Sequence, residues 1–206
     1  MIRIFLVLVA FFALAGFASG PDRDQATVIA KACTDPASIV VGPETMPCLV
    51  EALVQAKFPT LRGISIQLRV KREKGYFLMT DIDAPLKSAR KRKYFIEYNP
   101  DFFQGSVPLT QEALTAILAH ELVHIRDYVE RTSAGVATLL TLQSSRKYER
   151  STDRETLKLG FADGLIAFRQ WIYARLDADD LEIKKRNYLT PEEIKEWLAN
   201  LAKPSP

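Results

Sequence analysis

The hydrophobic pattern predicts three short strands in the first half of the chain. From 64 to 70 (ISIQLRV) apolar and polar residues alternate, which is typical of a half-buried strand. A charged turn at 71–75 and an apolar segment at 76–80 predict a second strand, paired with the first as a hairpin. Residues 94–98 (YFIEY) are aromatic and β-branched, which favours a third strand.

Helical spacing of apolar residues dominates most of the rest. The longest uninterrupted pattern covers 110–131, where Thr110 is a good N-cap and Glu112 lies in the first turn. We also expect helices at 24–33, 44–58, 136–158, 165–176 and 190–201, the last opening with the capping box TPEE, and a charged connector at 177–187. These elements predict an α+β fold that is mainly helical, with a small antiparallel sheet of about three strands. The edge strand of that sheet, 94–98, would directly precede the longest helix.

The first eighteen residues differ in kind from the others. Arg3 precedes an uninterrupted apolar segment at 4–17, and small residues follow at 18–20. This arrangement is typical of a secretory signal peptide, cleaved somewhere within 18–20. Residues 19–206 would then form one domain with helical extensions at both ends. We expect a secreted or periplasmic protein. The alternative is an uncleaved anchor facing away from the cytoplasm, although the apolar segment is short for a membrane span.

The net charge and the two cysteines limit which classes of partner and which cysteine chemistry we expect. Lys and Arg number 28 and Asp and Glu 25, a net charge of +3, which is too small to indicate nucleic-acid binding. Membrane contact is expected only if the N-terminal segment remains uncleaved. In an exported protein, the pair Cys33 and Cys48 favours a disulfide. Zinc ligation by these cysteines is the weaker alternative, because neither has a Cys or His neighbour at ligand spacing.

The candidate chemistry lies in the longest predicted helix, within the sequence HELVH. His120 and His124 are the only histidines of the chain. On a helix they lie one turn apart on the same face, so both imidazoles could bind one zinc ion, and Glu121 could act on a zinc-bound water. The alternative is a pair of structural histidines on a core helix, with Glu121 exposed.

A catalytic zinc needs a third protein ligand, and the absence of another histidine leaves a carboxylate. Glu149 and Asp153 on the next polar helix are four residues apart and share a face. One of them can bind the metal while the other holds a ligand histidine through its second ring nitrogen. Glu155 projects from a different side of that helix and is a weaker candidate. The alternative is that both carboxylates lie on a solvated or salt-bridged face.

Three features together resemble the gluzincin zinc metallopeptidases of the small, minimal kind. They are a strand at 94–98 followed by Asn99-Pro100, the HExxH helix, and the phrase SRKYERSTDR at 145–154, which is similar to the family's S-R-x-x-E-x-x-x-D-R. The resemblance covers 94–160, about a third of the chain. It implies that the zinc ligands are His120, His124 and Glu149, that Glu121 is the catalytic acid and base, and that Asp153 is the hydrogen-bond partner of a ligand histidine.

The implied function is hydrolysis of peptide bonds in a peptide or protein substrate, with one Zn²⁺ per chain. Zinc lowers the pKa of its water towards ~7, and Glu121 moves the water's proton to the leaving amine. The alternative is a non-catalytic or latent zinc-binding envelope protein of the same fold. We expect the oxyanion donor among Tyr148, Arg154 and Tyr128, and substrate pairing along the strand residues Phe95, Ile96, Glu97 and Tyr98.

Overall fold

The computed structural model describes residues 33, 41–104, 107–142 and 145–201. The predicted signal peptide with its cleavage site, and all of the predicted helix at 24–33 except Cys33, lie outside these residues. Within the described part, no helix is long and apolar enough to cross a membrane.

The described residues form a mixed helix and sheet structure, as predicted. The strands are β1 (Ile66–Val70), β2 (Leu78–Asp83) and β3 (Lys93–Tyr98). The helices are α1 (Met46–Lys57), α2 (Gln111–Glu130), α3 (Ser133–Leu142), α4 (Ser145–Lys158), α5 (Ala162–Tyr173), α6 (Ala178–Asn187) and α7 (Pro191–Leu201). The α+β class with a three-stranded sheet is therefore confirmed.

The order of the strands differs from the predicted one. The sheet runs β1-β3-β2, with β3 parallel to β1 and antiparallel to β2. Two predictions are therefore wrong: the sheet is mixed rather than antiparallel, and β3 is its central strand rather than an edge. The expected hairpin between the first two strands is also absent, because β3 lies between them.

Strand β3 occupies the centre of the sheet because its side chains are buried on both faces. In β3, Phe95, Ile96 and Glu97 are all less than a tenth exposed, so both faces of this strand are covered, as is usual for a central strand. The more polar β1 and β2 take the two edges. Phe95, Ile96, Glu97 and Tyr98 therefore cannot pair with a substrate strand, and the free edge beside α2 belongs to β2.

Helix α2 is the centre of the core. Its residues 113–125 are all buried, as expected for a helix surrounded by other elements. The predicted N-cap is confirmed, since the Thr110 side chain accepts a hydrogen bond from Ala113 N at 3.2 Å. Helix α5 packs unusually close to it: a Cβ built on Gly164 would lie 2.6 Å from Glu112 O. The HELVH segment therefore lies inside the molecule, where its polar groups need partners.

The C-terminal half contains two departures from the predicted helices. The expected helix at 136–158 is two helices, α3 and α4, and α3 already begins before Gly135. The expected connector at 177–187 is helix α6. The Asp177 side chain caps α6 by accepting from Asp180 N at 2.9 Å. Acidic residues in its first turn and basic residues in its last turn interact favourably with the helix dipole. These local charges stabilise α6, which has no apolar stripe.

The predicted disulfide and the last capping box are both confirmed. Cys33 and Cys48 are bonded, with their Cα atoms 5.7 Å apart, which ties Cys33 to the first turn of α1. At the start of α7, Glu193 N donates to Thr190 Oγ1 and Thr190 N donates to Glu193 Oε2, the reciprocal pattern of a capping box.

Candidate metal centre

Three ligand atoms from two helices converge at one point. His120 Nε2 and His124 Nε2 on α2 are 3.2 Å apart, and Glu149 Oε2 on α4 lies 3.2 Å from each. Ligands held tetrahedrally at ~2.1 Å from a zinc ion are about 3.4 Å from one another. Among the described residues this is the one group of its kind that could hold a metal ion. The geometry distinguishes the two carboxylates, because Glu149 alone meets both Nε2 atoms.

The partners of the other ring nitrogens show why these atoms suit a cation. His120 Nδ1 lies 3.0 Å from Asp153 Oδ1, and an ionised carboxylate can only accept, so this nitrogen carries the proton. Thr152 donates its own hydroxyl to Tyr148 O at 3.1 Å, and its oxygen lies 3.5 Å from His124 Nδ1. In the neutral rings both Nε2 atoms are then acceptors. Together with Glu149 they place three acceptors in contact, an arrangement that a divalent cation satisfies.

The local electrostatics favour positive charge at this point. Burial alone would lower the pKa of His120, but hydrogen bonds to Asp153 and Glu149 raise it to about 9. Burial works against the ionised form of Glu149, yet hydrogen bonds to His120 and His124 hold its pKa well below the usual range. The pKa of Asp153 is lowered too, because Arg169 and His120 outweigh the effect of its burial. Both carboxylates are therefore ionised and ready to balance a cation.

Asp153 connects the centre to the C-terminal part of the chain. It is fully buried. Besides its close contact with His120 Nδ1, it accepts hydrogen bonds from Arg169 Nη2 on α5 at 2.9 Å and from Leu189 N at 2.7 Å. Neither partner was foreseen from the sequence, although a lone Arg in the apolar stripe of α5 was a usable signal. The orientation of His120 therefore depends on α4, α5 and the segment that enters α7.

Glu121 faces the sheet rather than the solvent. It is 5% exposed, and Thr80 Oγ1 on β2 lies 2.8 Å from its Oε2 and 3.0 Å from its backbone oxygen. The hydroxyl fixes the carboxylate beside the free edge of the sheet. Thr80 was not predicted, because nothing in the sequence indicated that β2 borders α2.

The three expected oxyanion donors have different positions. The Tyr148 ring lies 4.8 Å from the His124 ring. Burial raises the pKa of both Tyr148 and Tyr128, with Asp127 also acting on each, so both phenols stay protonated. The Arg154 side chain is exposed. The structure therefore brings Tyr148 to the centre and leaves Arg154 on the surface.

Helix α6 and the residue after it cover one side of the centre. The Tyr188 ring lies 5.9 Å from His120 and 4.5 Å from the Arg169 guanidinium. Lys184 lines the same cavity as His120 and Glu121, and that cavity measures about 20 Å³, roughly the space of one water. Sequence reasoning missed this cover, because 177–187 carries no apolar stripe.

A larger cavity lies elsewhere. It measures about 420 Å³ between α1 and β1, and the only ionisable residue in its lining is Glu51. None of the metal-centre residues borders it, so it offers no comparable chemistry.

No known protein family, no curated protein and no solved structure matches this chain. The function therefore has to be inferred from the chemistry of the metal centre.

Proposed function

We propose that the protein is an exported zinc-dependent metallopeptidase that hydrolyses peptide bonds. The observation that carries this proposal is the triangle of His120 Nε2, His124 Nε2 and Glu149 Oε2, with edges of 3.2 Å. Two nitrogens and one carboxylate oxygen are a common ligand set of catalytic zinc, which leaves the fourth position to water. The disulfide between Cys33 and Cys48 supports an oxidising compartment.

The residues around the centre can support hydrolysis. Bound zinc would supply an acidified water and a Lewis acid for the scissile carbonyl. Glu121 accepts the proton of the attacking water and donates it to the leaving amine. Thr80 holds the Glu121 carboxylate in place through the contact at 2.8 Å. Asp153 and Thr152 orient the two histidines through their Nδ1 atoms.

The strand that receives the substrate is β2 in this proposal. An extended peptide pairs with an exposed sheet edge through main-chain hydrogen bonds. β2 is the edge strand next to Glu121, so a peptide paired with it would pass in front of that carboxylate. Tyr148, whose protonated phenol lies beside His124, is the proposed donor to the developing oxyanion.

Metal content tests the ligand set. The wild type should bind one zinc per chain and Glu149→Ala should bind much less. Glu155→Ala is the matched control, because Glu155 lies on the same helix and pairs at the surface with Lys158 and Arg126. Equal zinc content in the wild type and Glu149→Ala would remove Glu149 from the site.

Cleavage tests the role of Glu121. Glu121→Gln should retain zinc and lose peptide hydrolysis, because an amide cannot take up the water's proton. A variant that keeps both its zinc and its hydrolysis would show that Glu121 is not the base.

The cover over the centre favours a second candidate function, a zinc-binding protein that is latent or non-catalytic. A cavity of about 20 Å³ beside His120 and Glu121 does not admit a peptide as it stands. This candidate predicts bound zinc, no cleavage of any member of a peptide library, and unfolding when a chelator removes the metal. Cleavage that depends on Glu121 would exclude it.

A further inference from the structure

A partly buried lysine lies beside the metal centre. Lys184 extends from α6 into the cavity that His120 and Glu121 also line. Its Nζ lies 4.9 Å from the ring centre of Tyr76 and 5.0 Å from that of Tyr188. Burial, followed by the charge of Arg169, lowers the pKa of Lys184 against the opposing effect of the carboxylates of Glu149, Glu121 and Asp180. None of the described carboxylates lies close enough to Lys184 to form an ion pair. The two rings stabilise this charge in part.

The other cation of the cavity already has a partner. Arg169 Nη2 donates to Asp153 Oδ1 at 2.9 Å. The carboxylate of the cavity, Glu121, accepts a hydrogen bond from the Thr80 hydroxyl. The rest of the lining is apolar or aromatic: Phe77, Leu78, Ile117, Phe168, Ile172, Tyr173 and Tyr188. A cation in apolar surroundings is costly unless it is paired. Lys184 is therefore suited to receive an anionic group that enters beside the metal centre.

The position of Lys184 along β2 indicates which anionic group this is. β2 runs from Leu78 past Thr80, which contacts Glu121, to Asp83. Lys184 lies over Tyr76, before the first residue of that strand. A peptide paired antiparallel to β2 would direct its carboxyl end towards Lys184, and a parallel peptide would direct its amino end there. The positive charge favours the carboxyl end.

The elements around Lys184 at this end of β2 are tied to one another. The start of α6 is tied to the loop before β2 by an ion pair of 3.0 Å between Lys74 and Asp177. The segment after α6 is tied to α4, because Leu189 N donates to Asp153 and Arg150 Nη1 donates to Tyr188 O. A substrate chain that reaches Lys184 therefore has little room to continue.

We propose that Lys184 binds the C-terminal carboxylate of the substrate, so that the protein acts as a carboxypeptidase on short or C-terminally free peptides. This inference rests on the proposed peptidase function. A strand advances ~3.3 Å per residue, and one cavity spans Glu121 and Lys184, so one or two residues lie beyond the cleaved bond. In the reaction the amide C–N bond breaks, the water's hydroxyl joins the carbonyl carbon and its proton goes to the leaving amine. The products are a shortened peptide and an amino acid or dipeptide.

The size of the cavity limits the terminal residue. At about 20 Å³ it accepts a carboxylate and a small side chain only when Lys184 and Tyr188 move apart. The four-carbon stem of a lysine permits such movement. Glycine or alanine at the C-terminus should therefore be preferred over a large side chain.

The experiment compares two probes on the zinc-loaded protein: N-acetylated tetra-alanine with a free C-terminal carboxylate, and the same peptide as its C-terminal amide. The free acid should have a kcat/KM at least tenfold higher. Lys184→Met should lower the kcat/KM for the free acid to that for the amide, so that the ratio of the two falls to about one. Lys185→Met is the matched control, because Lys185 is exposed and pairs with Glu182 at 3.4 Å, and it should keep the preference.

Three outcomes would overturn the inference. The first is equal hydrolysis of acid and amide by the wild type. The second is a Lys184→Met variant in which both rates fall by the same factor. The third is cleavage of internal bonds in a long peptide with a blocked C-terminus as fast as cleavage of the free acid.

A binding measurement separates Lys184 from the peptidase activity. Calorimetry with the metal-free protein compares N-acetylated dialanine acid and its amide, in the wild type and in Lys184→Met. If neither tetra-alanine probe is hydrolysed but the dialanine acid binds better through Lys184, the carboxylate site stands and the peptidase proposal falls. If the amide is hydrolysed as well as the acid and no binding preference exists, the peptidase stands and the Lys184 site falls. If there is neither hydrolysis nor binding, both are overturned.

Discussion

Thr152 contacts His124, the second histidine of the proposed ligand set. Its hydroxyl proton goes to Tyr148 O, which leaves the oxygen to accept from His124 Nδ1 at 3.5 Å. Thr152→Val keeps the shape and removes the acceptor, so the ring loses its fixed orientation and tautomer. We expect metal affinity to fall by roughly 10- to 100-fold, measured by competition with a chelating dye. Thr152→Ser should bind nearly as tightly as the wild type. Equal affinity in the valine variant would remove Thr152 from this role.

The raised pKa of His120 predicts how the metal-free protein responds to pH. Its folded-state pKa of about 9, set by Asp153 and Glu149 against the effect of burial, lies above the ordinary value of 6.5. The charged imidazole therefore contributes its full stability below pH 6.5, and that contribution is lost as the pH rises through 9. The difference corresponds to about 3 kcal/mol.

Urea unfolding of the chelator-treated protein at several pH values between 6 and 9 measures this effect. We expect the free energy of unfolding to fall across the series. The zinc-loaded protein is the control, and its stability should not fall in this range, because the metal replaces the proton. A metal-free stability that is flat or rises with pH would contradict the prediction.

The sequence predicted those residues of the site that follow a helical period. His120, His124, Glu149 and Asp153 lie on two helices at spacings of four, and periodicity alone predicts that each pair shares a face. Thr80, Arg169 and Lys184 reach the centre only through tertiary packing. No local pattern encodes such packing for Thr80 and Lys184. The lone Arg169 in the apolar stripe of α5 indicated a buried charge but not its partner.

At the scale of the elements, α5 depends on a glycine. Gly164 lets α5 approach α2 so closely that an added Cβ would lie 2.6 Å from Glu112 O and 2.8 Å from Ala116 Cβ. Gly164→Ala must push the two helices apart, which we expect to cost about 1–3 kcal/mol of stability and to weaken metal binding, because Arg169 on α5 positions Asp153.

Gly135→Ala is the comparison, since Gly135 lies in helix α3 and the nearest atom to an added Cβ is an exposed threonine hydroxyl at 3.3 Å. Its effect should stay within about 1 kcal/mol. Thermal unfolding of both variants tests the difference. A stable Gly164→Ala protein would mean that the helices can separate without loss.

Helix α6 and strand β3 show where element-level prediction succeeded and failed. The pattern YFIEY correctly predicted a strand. Its central place in the sheet follows from the burial of both of its faces by other elements, which the pattern did not show. Helix α6 was missed because its stability comes from the Asp177 cap and from end charges rather than from an apolar stripe. Capping residues are local in sequence, so Asp177 with Asp179 and Asp180 was a signal that could have been used.

At the scale of the molecule, the proposed zinc ion and the disulfide would cross-link different regions. The candidate metal centre joins α2 and α4, and Asp153 extends this connection to α5 and to the start of α7. The disulfide joins Cys33 to α1. Since Cys48 belongs to none of the elements that supply ligands, the two cross-links should contribute to stability independently.

Removing the disulfide tests this independence. The bond closes a loop with a sequence separation of 15 residues, which corresponds to about 3 kcal/mol of stability in the chain-entropy model. The variant Cys33→Ser with Cys48→Ser should lose about that much in urea unfolding, because its unfolded chain is less restricted. Its zinc affinity should match that of the wild type, since α2 and α4 still hold the ligands.

The wild type under a reducing agent that does not bind zinc should behave like the double variant. A loss of zinc affinity with unchanged stability would show that the N-terminal cross-link reaches the metal centre.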